Sequence, residues 1–356
     1  MRIATVVGNR PQFVKAAAVS APLRERHSET LIHSGQHHDE ELSAVFFAQL
    51  GVPAPDHRLG VAGGSNASQL ARMVAALDPL LGELEPGAVL VYGDTNTTLA
   101  GALAAADRAI PVLHVEAGMR SFDRRQPEER NRVLTDQLSS LLLCPTEAAA
   151  AQLRAEGAPG TAAVVGDVMV DVALANRERA LAGGAAVLAS VGVAPRRYVL
   201  ATAHRAATVD DPLALERLVA LLEAVGEPVV LALHPRTLAR LRAAGLDGRA
   251  ASAATLTPPL GYLEFAALLH GARAVLTDSG GVQKEAYLAR VPCVTLRERT
   301  EWVETVAAGW NTLVGLDAGA ARAALAATPP AEHPALYGEG DAGARIVAAI
   351  DAYAAA

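Results

Sequence analysis

The sequence is poor in aromatic residues, charges and cysteines. Only 4% of its 356 residues are aromatic and only 19% are charged, so its core must be built mainly from Ala, Leu and Val. The two cysteines, Cys144 and Cys293, lie in apolar segments far apart in sequence, which favours buried free thiols in a reducing cytosol. No apolar run reaches membrane-spanning length, and residues 1–7 read as a strand rather than a signal peptide. We therefore expect a cytoplasmic protein with no membrane partner.

Several partner and cofactor classes are also disfavoured. The net charge of −7 argues against a nucleic-acid partner. The first glycine loop, residues 8–11, lacks the glycines of a nicotinamide-binding fingerprint. A histidine-rich segment matches no common metal-site spacing, although it contains His33, His37, His38 and Asp39. We expect no nucleic-acid partner, no cofactor and no metal site.

Strand-like and helix-like segments alternate along the chain. Strands are predicted at 3–7, 29–34, 88–92, 112–116, 141–145, 162–165, 198–203, 229–233, 254–256, 274–277 and 293–296. Helices are predicted at 11–25, 40–50, 65–84, 97–108, 127–139, 147–156, 168–181, 212–224, 236–243, 261–271, 282–289, 302–308, 319–327 and 340–354. This repeated βα pattern predicts parallel, doubly wound sheets.

The chain length and a break near 166–195 divide the pattern into two α/β domains. We place the N-terminal domain at 1–168 and the C-terminal domain at 169–338. A C-terminal helix within 339–356 is expected to pack back across the domain junction. Ligands of open α/β sheets bind beyond the carboxyl ends of the strands, where the unusual polar residues of this chain also cluster. The predicted geometry is a cleft between two facing sheet ends.

The segment 274–290 is the most informative. Its apolar strand is followed by Asp278, Ser279, Gly280 and Gly281, and then by a helix. A helix start without a Cβ in the way is an anion site, because the helix dipole and the unpaired N–H groups both favour phosphate. Glu285, about one turn into the helix, is placed to accept hydrogen bonds from a ribose diol. On its own, the segment is explained equally well by Ser279 capping the helix and the glycines forming a tight turn.

Two cations stand near another predicted helix start. Arg10 and Lys15 flank Pro11, a residue favoured in the first helical turn. Positive charges there oppose the helix dipole, which indicates a bound anion. The alternative is a pair of solvated surface cations.

Three carboxylates and one histidine are candidates for proton transfer. Glu116 ends a strand that should be buried. A carboxylate in such a position is unusual unless it has a functional role. Asp94 could instead cap the next helix, and Glu128 could instead favour the dipole of its own helix. His204 ends the strand at 198–203, where a purely structural histidine is the alternative. Together the three acids offer groups for general acid–base chemistry.

In order along the chain, these segments resemble the UDP-N-acetylglucosamine 2-epimerase family, whose members adopt the two-domain GT-B fold. The resemblance covers nearly the whole chain. It rests on the motifs around Asn9 to Lys15, Gly35 to His37, Gly93 to Thr95, Val115 to Arg120, Pro127 to Arg132, His204 to Arg205, Asp278 to Ala286, and Arg297 to Glu301.

The resemblance implies specific roles. Ser279, Gly280 and Gly281 would hold the phosphates with Arg10, Glu285 would bind the ribose, and Phe265 would mark the uracil site. The remaining implied substrate-binding residues are Lys15, Arg132, Arg297 and His204. The implied catalytic residues are Asp94, Glu116, Glu128 and His204. The implied reaction inverts C2 of the sugar through anti elimination of UDP and its re-addition, without a cofactor, in a homodimer.

The chain departs from the family pattern at several places, one of them Asn9, where threonine is usual. His204 is followed by Arg205, Ala206, Ala207 and Thr208, where relatives often carry an acid and an amide. Asp39 and Ser68 stand where some bacterial members bind an activating UDP-N-acetylglucosamine, so we expect weaker or absent activation. Other features also occur in relatives acting on UDP-2,3-diacetamido-2,3-dideoxyglucuronate, namely the segments 13–15, 121–125 and 300–304 together with Asp39. This uronate therefore stays an alternative substrate, and a hydrolysing epimerase and a GT-B glycosyltransferase stay alternative functions.

Overall fold

The computed structural model describes residues 1–36 and 51–355, except for the side chain of Arg10. The chain divides into unit 1, Met1–Leu174 with Tyr337–Ala356, and unit 2, Ala175–Leu336. Each unit holds a parallel sheet flanked by helices, so the predicted α/β class with two parallel-sheet domains is confirmed. The helix predicted at 40–50 lies outside the described residues.

The sheet of unit 1 has the strand order β3-β2-β1-β4-β5-β6-β7. The order reverses between β1 and β4, which makes this the switch point where ligands of such sheets usually bind. The described elements in chain order are β1 (Arg2–Val7), α1 (Arg10–Arg26), β2 (Ser28–His33), β3 (His57–Arg58), α2 (Asn66–Leu84), β4 (Ala88–Tyr92), α3 (Asn96–Asp107), β5 (Val112–Val115), α4 (Pro127–Leu138), β6 (Leu141–Cys144), α5 (Glu147–Glu156), β7 (Thr161–Val164) and α6 (Val168–Ser190).

The sheet of unit 2 repeats this arrangement, with the order β10-β9-β8-β11-β12-β13 and its switch point between β8 and β11. Its elements are β8 (Val199–Thr202), α7 (Ala206–Val209), α8 (Pro212–Ala224), β9 (Val229–Ala232), α9 (Pro235–Ala243), α10 (Asp247–Ala253), β10 (Thr255–Thr257), α11 (Tyr262–Gly271), β11 (Ala274–Thr277), α12 (Gly280–Leu288), β12 (Cys293–Thr295), α13 (Val303–Ala307), β13 (Asn311–Leu313) and α14 (Ala318–Ala326).

The central strands are short apolar runs that are buried on both faces. Every residue of β4 and of β11 is buried. Helices cover both faces of a parallel sheet, so its strands read as continuous apolar runs rather than as alternating patterns. This is why the predicted bounds of β4 and β11 match the observed ones.

The C-terminal helix, α15 (Ala342–Ala355), belongs to unit 1. Its buried residues Ile346 and Ile350 join the hydrophobic core that contains Phe13 of α1. The Asp171 carboxylate accepts the Gly343 N–H (2.9 Å) at the start of the helix. The C-terminal segment thus completes the core built by the first residues of the chain.

The main difference from the predicted elements is the length of α6. The prediction ends the helix near residue 181, before Gly183 and Gly184, whereas the helix continues to Ser190. The flanking alanines and leucines are strong helix formers, and their preference outweighs the cost of about 1 kcal/mol for each glycine. The short elements β3, β13, α7 and α10 were not predicted. No helix of the described ranges is long and apolar enough to cross a membrane.

Both cysteines are buried free thiols, as predicted. Cys144 is the last residue of β6 and Cys293 the first of β12, so each lies within the core of its unit. Burial raises the pKa of each thiol to about 12. At pH 8 only roughly one thiol in 10,000 would be ionised at such a pKa, and the thiolate is the reactive form.

We therefore expect neither cysteine to react rapidly with a disulfide reagent in the native protein at pH 8. Unfolding in guanidinium should release both thiols for immediate reaction. A Leu213→Cys variant supplies the positive control, because Leu213 is 69% exposed. A native thiol that reacts as fast as the introduced one would contradict the assignment of both cysteines to the core.

Candidate active site

The loop after β1 is tied to the end of β4 at the switch point of unit 1. The Gly8 N–H donates to Gln12 Oε1 (2.8 Å), and Gln12 Nε2 donates to the carbonyl oxygen of Tyr92 (3.0 Å). Asn9 caps α1 by accepting the Gln12 N–H. Gln12 is buried, and the sequence analysis gave it no role. Its side chain sets where the start of α1 lies relative to the β4 end.

Lys15 and Glu116 form an ion pair at this edge of the sheet. Lys15 comes from α1, and Glu116 directly follows β5. Gly93, at the end of β4, lies beside the pair: a Cβ on Gly93 would be 2.9 Å from Lys15 Nζ and 3.2 Å from Glu116 Oε2. Because Asp94 is the next residue, the turns that carry Asp94 and Glu116 meet at one place.

A second ion-pair group joins Asp94 to the first turns of α4. Arg132 pairs with Asp94 and, at 3.0 Å, with Glu129. Glu129 also accepts the Ser121 and Phe122 N–H groups (2.8 and 2.9 Å), so its carboxylate is fixed from several sides. The sequence pattern did not single out Glu129, because consecutive acids at a helix start are explained by the dipole alone.

Glu128 lies at the start of α4, four residues before Arg132 and therefore on the same face of the helix. Its side chain is partly exposed. Its neighbour Asn131 donates to the carbonyl oxygen of Asp94 (3.0 Å), which holds α4 against the end of β4. The structure thus brings Asp94 and Glu116 together and places Glu128 on the helix that contacts Asp94. Their catalytic roles stay predictions.

In unit 2 the switch point is organised by Asp278, which directly follows β11 and is completely buried. Its carboxylate accepts the N–H groups of His204 (3.0 Å) and Arg205 (2.9 Å), which follow β8. The His204 ring stacks on His234, with 5.6 Å between the ring centroids. The backbone after His204 is therefore held by Asp278, although the acid and amide that often follow this histidine in relatives are missing.

Helix α12 begins at the same switch point. Ser279 is its N-cap residue, and its side chain makes no capping hydrogen bond to the helix. Gly280 is buried against Glu301: a Cβ at Gly280 would come within 2.2 Å of Glu301 Oε1. Glu301 also pairs with Arg297 (2.9 Å). A Cβ at Gly281 would meet only Ser279 Oγ at 4.0 Å, so the helix start is open on that side.

The other predicted binding residues occupy different environments. Glu285 is partly exposed on α12, about one turn after Gly281. Phe265 is only 8% exposed and packs in the core of unit 2, so its ring is not presented to a ligand. The assignment of the ribose to Glu285 and of the uracil to the Phe265 region stays a prediction.

Some predictions concern residues that the structure describes only in part. The Arg10 side chain, His37, His38 and Asp39 lie outside the described residues. Ser68 is exposed in the first turn of α2, and its N–H donates to Ser65 Oγ (3.3 Å). Because Asp39 lies outside the described residues, weak or absent activation by UDP-N-acetylglucosamine stays a prediction. Within residues 1–36 and 51–355, no three His, Cys, Asp or Glu side chains are grouped as metal ligands.

The two glycines at the start of α12 provide a test of this geometry. Gly280→Ala should displace Glu301 and destabilise unit 2, because the added methyl group would overlap Glu301 Oε1. The same change at Gly281 adds a methyl group in open space and should leave the melting temperature within about 2 °C of the wild type, since mutations without a structural clash shift stability by roughly 0.5 kcal/mol or less. Equal melting temperatures for both variants would contradict the packing described for Gly280.

Known proteins share this fold over their whole length. The family model described as UDP-N-acetylglucosamine 2-epimerase matches residues 22–351. The UDP-2,3-diacetamido-2,3-dideoxy-D-glucuronate 2-epimerase of Pseudomonas aeruginosa is 45% identical, with 97% of this chain and 98% of the relative covered. The UDP-N-acetylglucosamine 2-epimerase of Methanocaldococcus jannaschii is 40% identical, with 88% of each chain covered.

A crystal structure of M. jannaschii UDP-GlcNAc 2-epimerase in complex with UDP-GlcNAc and UDP superposes with a TM-score of 0.91 at 38% identity, covering 99% of this chain and 100% of the other. The resemblance inferred from the motifs is thereby confirmed, as is the GT-B fold. The chain belongs to the UDP-N-acetylglucosamine 2-epimerase family and is a nucleotide-sugar 2-epimerase, an isomerase.

Proposed function

We propose that the enzyme is a non-hydrolysing 2-epimerase that interconverts UDP-N-acetylglucosamine and UDP-N-acetylmannosamine. The observation that carries this proposal is the cluster of acids and cations at the switch point of unit 1. Asp94 and Glu116 stand on adjacent strand ends, paired with Arg132 and Lys15. The ion pairs hold these carboxylates in place, and carboxylates held in this way can transfer protons at a sugar carbon.

We assign the UDP moiety to unit 2. The start of α12 at Ser279 and Gly281 supplies backbone N–H groups and the positive end of the helix dipole, which favour a diphosphate. His204 lies at the same switch point, because Asp278 binds its N–H and Ser279 follows Asp278 in the chain. Glu285 is one turn further on and would accept hydrogen bonds from the ribose hydroxyls. Arg10 and Arg297 are proposed as further cations for the phosphates.

The proposed reaction proceeds in two balanced steps. In the first, the C1–O bond breaks, UDP leaves with the bonding electron pair, and a carboxylate of unit 1 accepts the C2 proton, giving a 2-acetamidoglucal. In the second, the alkene is protonated at C2 on the opposite face, and UDP adds back at C1. Because the C2 hydrogen is weakly acidic, C1–O cleavage must lead. Cations at the diphosphate therefore assist by stabilising the leaving group.

Asp94, Glu116 and Glu128 are the proposed acid and base groups. A 2-epimerase needs one group on each face of the sugar ring, because the proton leaves one face and returns to the other. The three acids come from three segments, the ends of β4 and β5 and the start of α4, which suits groups that act from different directions. The ion pair of Lys15 with Glu116 and that of Arg132 with Asp94 would orient these two carboxylates.

A second candidate substrate is UDP-2,3-diacetamido-2,3-dideoxyglucuronate. The 45% identity to the Pseudomonas enzyme supports it, as do the segments 13–15, 121–125 and 300–304. The same elimination and re-addition would apply, because the reacting atoms C1 and C2 are unchanged. Incubation with each UDP-sugar, followed by NMR of the products, distinguishes the two: the physiological substrate should have the higher kcat/KM by at least about tenfold, equivalent to 1.4 kcal/mol of transition-state binding.

Two other reactions are outcomes of the same assay. A hydrolysing epimerase would add water at C1 and release N-acetylmannosamine and UDP, so free UDP would accumulate at the catalytic rate. A GT-B glycosyltransferase would require an acceptor and would leave C2 unchanged. The proposal also includes a cytoplasmic homodimer, which light scattering of the purified protein would test.

The sharpest prediction concerns the hydrogen at C2. In deuterated water, both UDP-N-acetylglucosamine and UDP-N-acetylmannosamine should acquire deuterium at C2, because the proton removed exchanges with solvent before the opposite face is protonated. Proton NMR of the mixture at equilibrium measures the loss of both H2 signals. UDP-sugar incubated without enzyme provides the control. An epimer that forms with its original hydrogen retained at C2 would refute the proposed mechanism.

A further inference from the structure

A linked group of four charged side chains, three of them buried and one at the surface, lies next to the turns of the candidate active site of unit 1. His114 is on β5, Asp136 is on α4, Arg120 follows the β5 turn, and Glu156 ends α5. His114 and Asp136 are completely buried. None of the four received a function from the sequence pattern, and none belongs to the proposed set of substrate-binding or proton-transfer residues.

The hydrogen bonds of His114 fix where its protons lie. Its Nε2 is 2.7 Å from the carbonyl oxygen of Gly93, and a carbonyl can only accept, so Nε2 carries a hydrogen. Its Nδ1 is 2.7 Å from Asp136 Oδ1. The other oxygen of Asp136 accepts the Gly118 N–H (3.2 Å) and contacts Arg120 Nη1 (2.7 Å). The protonation state of Asp136 therefore decides that of His114.

Asp136 is ionised. Its Oδ2 faces two donors other than His114, the Arg120 guanidinium (2.7 Å) and the Gly118 N–H (3.2 Å). Burial acts to raise the pKa of the carboxyl group, but opposite charges and hydrogen bonds outweigh burial and hold this pKa below its usual value. A carboxylate only accepts hydrogen bonds, so His114 Nδ1 faces an acceptor, as Nε2 does. This is the hydrogen-bond pattern of an imidazolium cation.

The group as a whole can hold this cation inside the protein. Arg120 pairs with both Asp136 and Glu156, the latter at 2.6 Å. Two positive side chains therefore face two negative ones. A buried charge is tolerated when it is paired and its hydrogen-bonding groups are satisfied, and removing one partner of such a set is costly.

The hydrogen bonds of this group reach both turns that carry the candidate catalytic acids. Gly93, whose carbonyl His114 holds, directly precedes Asp94. Gly118, whose N–H Asp136 holds, is two residues after Glu116. Glu116 itself has a φ of 71°, in the left-handed region, which is unfavourable for a non-glycine residue. Such a conformation persists only when neighbouring contacts enforce it.

We propose that His114 carries a hydrogen on both ring nitrogens and is a positioning residue which, together with Asp136, sets the spacing between the Asp94 and Glu116 carboxylates. His114 connects the β4 turn to Asp136, and Asp136 connects to the β5 turn, so the pair acts as a bridge between the two acids. Neither residue touches the substrate in this proposal. The catalytic part rests on the proposed function, whereas the protonation of His114 does not.

The protonation is tested by ¹⁵N NMR of histidine-labelled enzyme without ligand at pH 7.5. The His114 signals are assigned by their loss in the His114→Gln variant. The expected result is that both ring nitrogens of His114 show the shifts and bound hydrogens of an imidazolium. A ring with one unprotonated nitrogen would overturn the proposal. This readout requires no substrate, so it stands even if the proposed reaction is wrong.

The positioning role is tested with Asp136→Asn and His114→Gln, compared with Asp171→Asn. Asp171 is a matched control because it is also a partly buried aspartate of unit 1 that accepts backbone N–H groups, those of Ala342 and Gly343, and is not placed in the site. We expect the two site variants to lose kcat by about 10²-fold, the size of effect caused by a misplacement of roughly 1 Å. KM and the Kd for UDP should stay within about threefold of the wild type. The control should keep kcat within about twofold.

The proposal would be overturned if Asp136→Asn and His114→Gln lost no more kcat than Asp171→Asn while losing a similar amount of melting temperature. That result would show that the role of the pair is merely structural. A parallel rise in KM would also overturn it, because displaced acids should impair the chemical step rather than binding. If the wild-type enzyme exchanged no C2 hydrogen with either candidate sugar, the proposed function would fail, and the NMR result would still decide the protonation of His114.

Discussion

The ion pair between Lys15 and Glu116 is the contact on which the candidate site depends. It joins the first helix to the end of the fifth strand, across the point where the strand order of unit 1 reverses. An acid at a strand end that should be buried is costly unless a cation accompanies it. Lys15 of α1 is the cation that accompanies Glu116, and Arg132 of α4 is the cation that accompanies Asp94. Each of the two acids therefore has its own positive partner from a helix.

The same principle operates in unit 2 with the signs reversed. There a buried carboxylate, Asp278, binds the backbone N–H groups that follow β8 and so fixes the turn carrying His204. Glu301 fills the space beside Gly280 and pairs with Arg297. In unit 2, buried acids therefore hold the backbone of His204 and the side chain of Arg297. In unit 1, the acids proposed to act on the substrate are paired with cations from helices.

Much of this arrangement could be predicted from the sequence. Central strands such as β4 and β11 are apolar on both faces and bounded by glycine or acidic turns, so their ends were located to the residue. The unusual polar residues follow these strands, and the rule that ligands bind at the carboxyl ends of parallel strands then placed Asp94, Glu116, His204 and Ser279 at sheet edges. The ordered motifs supplied the family, which no single motif could have done.

The parts that could not be predicted have three different physical causes. Gly183 and Gly184 looked like the end of a helix, but strong helix formers on both sides carry α6 through them. The two-residue strand β3 has too few residues for any periodic pattern. Glu129 and Asp136 look like ordinary helix acids. Only contacts with other segments give them significance: the Ser121 N–H for Glu129 and His114 of β5 for Asp136. Burial and charge pairing are properties of the fold rather than of the local sequence.

The central claim is that Glu116 acts on the sugar while UDP is held elsewhere. The most direct test measures both turnover and, by calorimetry, UDP binding in one preparation of the Glu116→Gln variant. Glu147→Gln is the control, because the Glu147 side chain is exposed. The account predicts that Glu116→Gln loses at least about 10²-fold in kcat, the usual contribution of a general acid or base, and keeps the Kd for UDP within about twofold. Full activity of Glu116→Gln, or a loss of UDP binding that matches its loss of turnover, would contradict it.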